Sequence, residues 1–261
     1  LLLSSAASDV YKRQVCNDDQ NLKNIIRKTK NKNFYTYGKD KESNFQIVNV
    51  KQTSNFSSFD IKINIPSKKK IIKRIKLPMI GMHNIRNATA AISLAFTIGL
   101  PEKCIKAGLY NFKGVQRRFS HLFDHNKISF YDDYAHHPTE ISSVLSGVEK
   151  VYKNKEIVCV FQPHRISRVI SLKKEFSKCF KKADTVLLCP IYTANEKLRL
   201  NFTYHSFAKL IIKNSNVRLI QVEDELQLQK FIKQNVFGEK IYIGMGAGSI
   251  SNWMKNLKNI F

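Results

Sequence analysis

Residues 128–141 read Ile-Ser-Phe-Tyr-Asp-Asp-Tyr-Ala-His-His-Pro-Thr-Glu-Ile, a short apolar run followed at once by a polar stretch. The apolar run 128–131 predicts a strand, and a helical pattern begins at Pro138. The same alternation of strand and helix continues to the end of the sequence. It predicts an α/β domain with a mainly parallel sheet and right-handed crossovers.

The predicted elements of this domain follow one another without an internal repeat. The strands are predicted at Ile128–Tyr131, Ile157–Phe161, Thr185–Leu188, Val217–Val222 and Ile241–Ile243. The helices are predicted around Pro138–Tyr152, Ser167–Lys181, Tyr204–Asn214, Asp224–Gln234 and Ile250–Leu257.

The sequence before this domain is polar and rich in Lys and Asn. Residues 45–50 and 59–65 alternate apolar with polar side chains, which predicts two half-buried strands. The basic run Lys68–Lys76 follows them and is typical of a solvated hairpin or a sheet edge.

Two helices are predicted after the basic run. The Ala-rich stretch between Gly81 and Gly99 predicts a buried helix that Asn84 opens and Gly99 closes. Residues 101–112 predict a second, shorter helix.

Composition limits the class of protein. The 261 residues include 43% hydrophobic residues, which is enough for a packed core and excludes wholesale disorder. No apolar run is long enough to span a bilayer, which excludes an integral membrane protein. The 44 Lys and Arg residues against 20 Asp and Glu give a net charge of +24, which favours anionic partners without choosing among them.

The five cysteines are widely spaced and include no Cys-x-x-Cys pair. A disulfide framework or a zinc site is therefore not predicted, and a reducing cytoplasm is the natural setting. Residues 1–14 lack the Lys, Asn and Ile bias of the rest, so we interpret them as a truncation or a joint of non-native sequence. We expect the chain to be a fragment.

The first cluster of chemically useful residues directly follows the strand at 128–131. Asp133, Tyr134, His136 and His137 lie where a strand ends and a helix begins, the edge at which open α/β sheets bind ligands. Placing several ionisable groups there only for packing would be costly, so a functional role is favoured over a purely structural one. Adjacent histidines point in different directions, which argues against one metal ion bound by both.

A second cluster repeats this placement after the strand at 157–161. His164, Arg165 and Arg168 follow that strand, and the two arginines share a helix face where they could clamp a carboxylate or a phosphate. The alternative is a solvated basic helix start, although a cation at a helix N-terminus is electrostatically disfavoured.

Two further clusters precede the α/β domain. His83, Asn84 and Asn87 lie at the start of the Ala-rich helix, where amide side chains could contact a purine edge, although Asn84 could instead be a simple N-cap. Arg117 and Arg118 follow Gly114 and suit a phosphate group, although a basic inter-domain linker is the alternative.

The last cluster is the glycine-rich stretch Gly-Met-Gly-Ala-Gly-Ser at 244–249, which follows the final strand. Ser249 stands where a dinucleotide-binding fingerprint has its third glycine. The pattern therefore favours a tight strand-to-helix turn over a phosphate loop.

In this order, the motifs GMHNIRNATAA, GVQRRF, DDYAHHPTEI, FQPHRISR, IYTANE and GMGAGSI resemble the Mur ligase family of peptidoglycan synthesis. The resemblance runs from about Val15 to about Trp253. It implies that residues 15–112 are the C-terminal part of a central ATP-binding domain and that residues 113–261 are a Rossmann-like C-terminal domain. The family's phosphate-binding Gly-Lys-Ser/Thr loop and its Mg²⁺ ligands are expected upstream, and Asn195 stands where the family usually has Gly.

The resemblance also implies a reaction, the ATP-dependent ligation of L-alanine to UDP-N-acetylmuramate through an acyl phosphate. By resemblance, Asn84 and Asn87 contact adenine, and Asp133 accepts hydrogen bonds from the ribose hydroxyls. His83 is expected to bind the nucleotide beside the two asparagines. Arg118 reaches the ATP phosphates across the domain cleft, with Arg117 a weaker candidate. The groups expected around the alanine and the acyl phosphate are Tyr134, His136, His137, His164, Arg165 and Arg168; of these, His136, His137 and Arg165 are the catalytic candidates.

Two alternatives stay open. A near relative within the family attaches a recycled tripeptide to the same sugar nucleotide and shares a similar motif at 132–138, although FQPHRISR favours the alanine-adding members. A basic nucleic-acid-binding module would suit the charge, but the Lys and Arg residues are scattered along the chain without an RNA-binding or zinc-finger signature. The resemblance favours small-molecule substrates and neither nucleic acid nor membrane insertion.

Overall fold

The structure is a computed structural model that describes residues 13–29, 34–53, 56–66, 68–197 and 203–261. The chain divides into two compact units, Leu1–Gly114 and Val115–Phe261. The division falls two residues after the boundary predicted at 112/113. Most of the segment predicted to be non-native, residues 1–14, lies outside the described residues.

The N-terminal unit contains a five-stranded sheet with strand order β1-β2-β3-β4-β5. The strands are β1 Arg13–Cys16, β2 Phe34–Gly38, β3 Phe45–Gln52, β4 Ser57–Ile65 and β5 Lys68–Leu77. β1, β2 and β3 pair in parallel, whereas β3, β4 and β5 pair antiparallel. The predicted strands at 45–50 and 59–65 are confirmed, and the basic run forms the last strand of the described sheet, as predicted for an edge.

Three helices accompany this sheet: α1 Gln20–Lys28, α2 Met82–Thr97 and α3 Glu102–Tyr110. Ile85, Ala88 and Ile92 form the buried face of α2 and pack with the alternate buried residues of β4. Both predicted helices are confirmed. The interpretation of Asn84 as the N-cap is wrong, because α2 begins at Met82 behind Gly81, whose φ of 95° other residues rarely adopt.

The sequence did not predict β1, α1 or β2. α1 has no buried residue, although Leu22, Ile25 and Ile26 are spaced to share one of its faces. Its start is stabilised instead by the Asp19 side chain, which accepts hydrogen bonds from the backbone N–H groups of Asn21 and Leu22.

The C-terminal unit contains a six-stranded sheet with strand order β10-β9-β8-β11-β7-β6. The strands are β6 Ser120–His125, β7 Ile128–Asp133, β8 Glu156–Phe161, β9 Thr185–Leu188, β10 Arg218–Gln221 and β11 Lys240–Met245. All pairs are parallel except β6–β7. The mainly parallel sheet is therefore confirmed, and β6 was missed because it is a half-exposed edge strand without regular alternation.

The helices of this unit are α4 Pro138–Val151, α5 Ile166–Ser171, α6 Lys173–Phe176, α7 Tyr204–Ser215, α8 Glu225–Gln234 and α9 Ile250–Asn256, followed by a 3₁₀ turn at Leu257–Ile260. The prediction of one helix over 167–181 is wrong. The chain leaves the helical region at Leu172, and the helix resumes only for Lys173–Phe176. Phe176 and Phe180 are both buried in the core.

The register of the sheet sets the position of the polar clusters. Met245 at the end of β11 pairs with Asp133 on one side and with Phe161 on the other. The carboxyl ends of β7, β11 and β8 therefore meet at one edge, and antiparallel β6 brings Ser120 there too, opposite Asp132. We call this the carboxyl edge. Within the described residues, no helix is long and apolar enough to cross a membrane.

Candidate active site

Asp133 is a buried carboxyl group at the centre of the carboxyl edge, with an exposed fraction of 1%. Its Oδ2 accepts the backbone N–H of Phe119 at 2.7 Å, and its Oδ1 accepts that of Ala135 at 2.7 Å. Burial raises the pKa of Asp133 to about 6, although these two N–H groups and Arg118 act in the opposite direction. Asp133 thus fastens the segment before β6 to the turn after β7.

Arg117 is held inside the unit by several contacts. Its Nε lies 3.4 Å from Oδ2 of the buried Asp132, and its Nη2 donates a hydrogen bond to the carbonyl of Gly246. The guanidinium also lies 4.8 Å from the centre of the Tyr134 ring. Ser251 completes the cluster by donating to Asp132 Oδ2 at 2.6 Å.

Arg118 is less engaged than its neighbour. Its Nη1 lies 3.8 Å from Oε1 of Glu140, and its side chain is 38% exposed. Because this contact is long, the other N–H donors of the Arg118 guanidinium can contact an anion.

The first turn of α4 fixes the two adjacent histidines. His137 is the N-cap, and its Nδ1 accepts the backbone N–H of Thr139, while Glu140 Oε2 accepts the N–H groups of both His136 and His137. This is a capping box. Sequence reasoning missed Glu140, although its place three residues after a cap is the spacing of that motif.

The second cluster lies at the end of β8. The His164 ring stacks on Tyr192 with centres 5.5 Å apart, and its Nδ1 lies 3.4 Å from Arg168 Nη1. Burial, with the nearby Arg168 charge second, lowers the pKa of His164. The His164 and His136 rings are 6.0 Å apart, so the structure brings the two predicted clusters together.

Arg165 is exposed and is the N-cap before α5, with a φ of 66°, an uncommon conformation for a residue with a side chain. The prediction that Arg165 and Arg168 share a helix face is therefore wrong, because Arg165 lies outside the helix. Its backbone N–H bonds to the carbonyl of Tyr192. Glu196, from the same loop as Tyr192, accepts hydrogen bonds from the backbone N–H and the hydroxyl of Ser167. The loop at 191–196 is thereby tied to the start of α5.

Asn195 has a φ of 67°, in the left-handed region that Gly adopts most readily and Asn tolerates better than most residues. Asn at this position is therefore compatible with the backbone conformation of the loop. Neighbouring Ala194 is also left-handed, with a φ of 52°.

The glycine-rich stretch 244–249 packs closely against the end of β8. A Cβ at Gly246 would lie 2.6 Å from the carbonyl oxygen of Gln162, and one at Gly248 would lie 2.5 Å from its side-chain oxygen. Gln162 also bonds to Ser249 and to the N–H of Ile250. The prediction of a tight strand-to-helix turn is confirmed, because backbone packing accounts for both glycines.

The remaining predicted contacts lie in the N-terminal unit, at the start of α2. Asn84 is buried, and its Nδ2 donates to the carbonyl of Ile80 at 2.7 Å. Asn87, one turn later, is exposed, and His83 is partly buried. Over the ranges that the structure describes, no group of three or more His, Cys, Asp or Glu side chains could hold a metal ion.

Two family models match the chain. One, described as the Mur ligase middle domain, matches residues 2–95, and the other, described as the Mur ligase, glutamate ligase domain, matches residues 117–247. A UDP-N-acetylmuramate–L-alanine ligase of Pelagibacter ubique is 60% identical over 94% of this chain, which corresponds to 53% of that relative. The chain thus spans about half the length of the curated relatives it matches.

Solved structures show the same fold. A UDP-N-acetylmuramate–alanine ligase from Thermotoga maritima is similar with a TM-score of 0.66 at 26% identity, over 86% of this chain and 47% of that one. A murein peptide ligase from Psychrobacter arcticus is similar with a TM-score of 0.63 at 19% identity, over 95% of this chain and 51% of that one. This second likeness concerns the fold alone.

Proposed function

This chain belongs to the Mur ligase family, and we propose that it is part of an enzyme that uses ATP to join L-alanine to UDP-N-acetylmuramate in the cytoplasm. The observation that carries the proposal is its 60% identity, across nearly its whole length, to a relative named for that activity. The polar clusters at the carboxyl edge supply groups of the kinds that such a reaction needs.

The chemistry has two steps. The lactyl carboxylate of the sugar nucleotide attacks the γ-phosphate of ATP, which gives an acyl phosphate and ADP. The amine of L-alanine then attacks the acyl carbon, and phosphate leaves. A carboxylate acylates poorly until its oxygen becomes part of a good leaving group, and cationic side chains must stabilise the negative charge that gathers there.

We assign the nucleotide to two sets of residues. His83, Asn84 and Asn87 would contact adenine from the start of α2. Asp133 would accept the ribose hydroxyls, since two backbone N–H groups occupy only part of the acceptor capacity of a carboxylate. Arg118 would contact the phosphates, because its guanidinium is only loosely held by Glu140.

We assign the alanine to the cluster after β8. Arg165 and Arg168 would hold its carboxylate, since a guanidinium pairs with a carboxylate through two parallel donors. Tyr134, His136 and His164 would line the same space, because the centre of the His136 ring lies 5.1 Å from that of Tyr134 and 6.0 Å from that of His164. The family reaction also implies Mg²⁺, whose ligands we expect mostly in the part of the relatives that precedes the matched region.

The proposal is tested with a chimaera in which the preceding half of the Pelagibacter ubique relative is fused to this chain. We expect phosphate release that requires ATP, UDP-N-acetylmuramate and L-alanine together, with the ligated product identified by mass. A tripeptide replaces alanine in a parallel reaction. Faster use of the tripeptide would favour the recycling ligase, and no acceptor-dependent release would refute both.

A further inference from the structure

Three histidines lie at the carboxyl edge, and their hydrogen bonds place the ring protons differently. This matters if the proposed ligation is correct, because L-alanine is an ammonium ion near neutral pH and has no lone pair with which to attack. One group must first take a proton from it. Among the described residues, His136, His137 and His164 are the imidazoles that follow the ends of β7 and β8 at this edge.

His136 presents an unprotonated ring nitrogen. Its Nδ1 lies 2.9 Å from the carbonyl oxygen of Tyr134, and a carbonyl oxygen can only accept a hydrogen bond. The proton of the neutral ring is therefore on Nδ1, which leaves the lone pair on Nε2. The side chain is 20% exposed, so it is neither sealed in the core nor free in solvent.

The other two rings have the opposite arrangement. His137 Nδ1 accepts the backbone N–H of Thr139 at 3.3 Å, and His164 Nδ1 faces Arg168 Nη1, which can only donate, at 3.4 Å. In both neutral rings the proton is on Nε2, and the lone pair on Nδ1 is already occupied. Neither ring has a nitrogen ready to take a proton from a substrate.

Glu140 adds the charge that a proton acceptor needs beside it. Its Oε2 lies 3.6 Å from His136 Nδ1, and its Oε1 lies 3.8 Å from Arg118 Nη1. Burial opposes ionisation of Glu140, but the backbone N–H groups of His136 and His137 together with the charges of His136 and Arg118 outweigh it, so the pKa of Glu140 is lowered. The other groups facing His136 are the rings of Tyr134 and His164.

We propose that His136 is the catalytic residue that accepts the proton of the alanine ammonium at Nε2, and that Glu140 is the positioning residue that stabilises the resulting imidazolium. The freed amine then attacks the acyl carbon, a C–N bond forms, and the C–O bond to phosphate breaks with its electron pair leaving on phosphate. The departing phosphate takes the second proton from nitrogen, and His136 returns its proton to water.

The geometric premise is tested on this chain alone by NMR. Long-range ¹H–¹⁵N spectra distinguish the two neutral tautomers of each histidine above its pKa. We expect the Nδ1–H form for His136 and the Nε2–H form for His137 and His164, with each signal assigned from its His→Asn variant. An Nε2–H form for His136 overturns the inference whatever the enzyme's activity.

The catalytic claim is tested in the chimaera. His136→Asn keeps a donor near the position of Nδ1 but removes Nε2, so kcat/KM for alanine should fall on the order of 100- to 10,000-fold. Added imidazole should restore part of it. His205→Asn, exposed in the first turn of α7, is the matched control and should leave activity unchanged.

Glu140→Gln keeps an acceptor for the backbone N–H groups but removes the charge. The imidazolium then loses stabilisation, so the acid limb of kcat/KM against pH should move to lower pH by about half to one unit. A folding defect would lower the amplitude without moving the limb. An active chimaera in which His136→Asn keeps full turnover, or in which His137→Asn alone removes the acid limb, overturns the inference, whereas an inactive parent chimaera refutes the proposed function instead.

Discussion

The carboxyl edge of the C-terminal sheet and the start of α2 in the N-terminal unit differ in how firmly their polar side chains are held. At the carboxyl edge, Asp133 and Glu140 are each fixed by two backbone N–H groups. At the start of α2, Asn84 is fixed by one carbonyl and Asn87 is exposed. The difference indicates that the carboxyl edge is largely preformed without a ligand.

The largest expected effect is at the alanine clamp. In the chimaera, Arg168→Ala should lower kcat/KM for alanine. The fall should correspond to about 2–4 kcal/mol of lost stabilisation, the usual cost of removing one partner of a charge-assisted contact. Arg168→Lys should recover little, because an ammonium cannot reproduce the guanidinium fork. Arg218→Ala, exposed at the start of β10, is the control for lost positive charge. Full activity in Arg168→Ala would refute the clamp and would mean that this arginine belongs to a solvated basic helix that binds no substrate.

The next effect separates two adjacent arginines. Arg117→Ala leaves the buried Asp132 without its cation, so the free energy of unfolding should fall by about 1–3 kcal/mol. Arg118→Ala should leave unfolding almost unchanged and instead raise KM for ATP. Thermal unfolding of the chain and ATP kinetics of the chimaera measure the two quantities. The reverse pattern would make Arg117 the phosphate contact.

Asp133 should give a smaller and more selective effect. Asp133→Asn keeps one acceptor for the backbone and loses the charge, so KM for ATP should rise by about tenfold, the cost of one charged hydrogen bond. KM for alanine should change less, because Asp133 is assigned to the ribose. Equal changes in both constants would mean that Asp133 acts only by holding the segment before β6.

The smallest effects are expected at α2. Asn84→Ala should lower stability by about 1 kcal/mol, because the carbonyl of Ile80 loses a buried donor. Asn87→Ala should leave the melting temperature of the chain unchanged and raise KM for ATP in the chimaera. If neither change affects KM for ATP, this helix does not contact adenine.

Local patterns carried much of the fold and part of the site. The strand at Thr185–Leu188 is predicted by its apolar run Val186–Leu188, and the polar clusters at the carboxyl edge are predicted by their position after such strands. The edge strand β6 could not be predicted in this way, because its partly exposed residues show no regular alternation of apolar and polar side chains. The break at Leu172 within the predicted 167–181 helix has no signal such as Pro or Gly in the sequence.

Contacts between distant residues explain what the sequence left open. Asp132 meets Ser251 across 119 positions, and Arg117 meets Gly246 across 129, and neither pairing has a signature in a single sequence. The choice among the three histidines likewise depends on which atom faces Tyr134, Thr139 or Arg168. Such donor and acceptor relations exist only in three dimensions.

The claim that the carboxyl edge is preformed is tested most directly by titrating the ¹⁵N-labelled chain with L-alanine. We predict saturable shifts of the backbone amides of Arg165, Ser167, Arg168 and Tyr192, and their loss in Arg168→Ala. Glycine and sodium acetate serve as controls for the amine and the carboxylate alone. Absence of any saturable shift at these amides, or shifts confined to residues before Gly114, would contradict a preformed alanine site at the carboxyl edge.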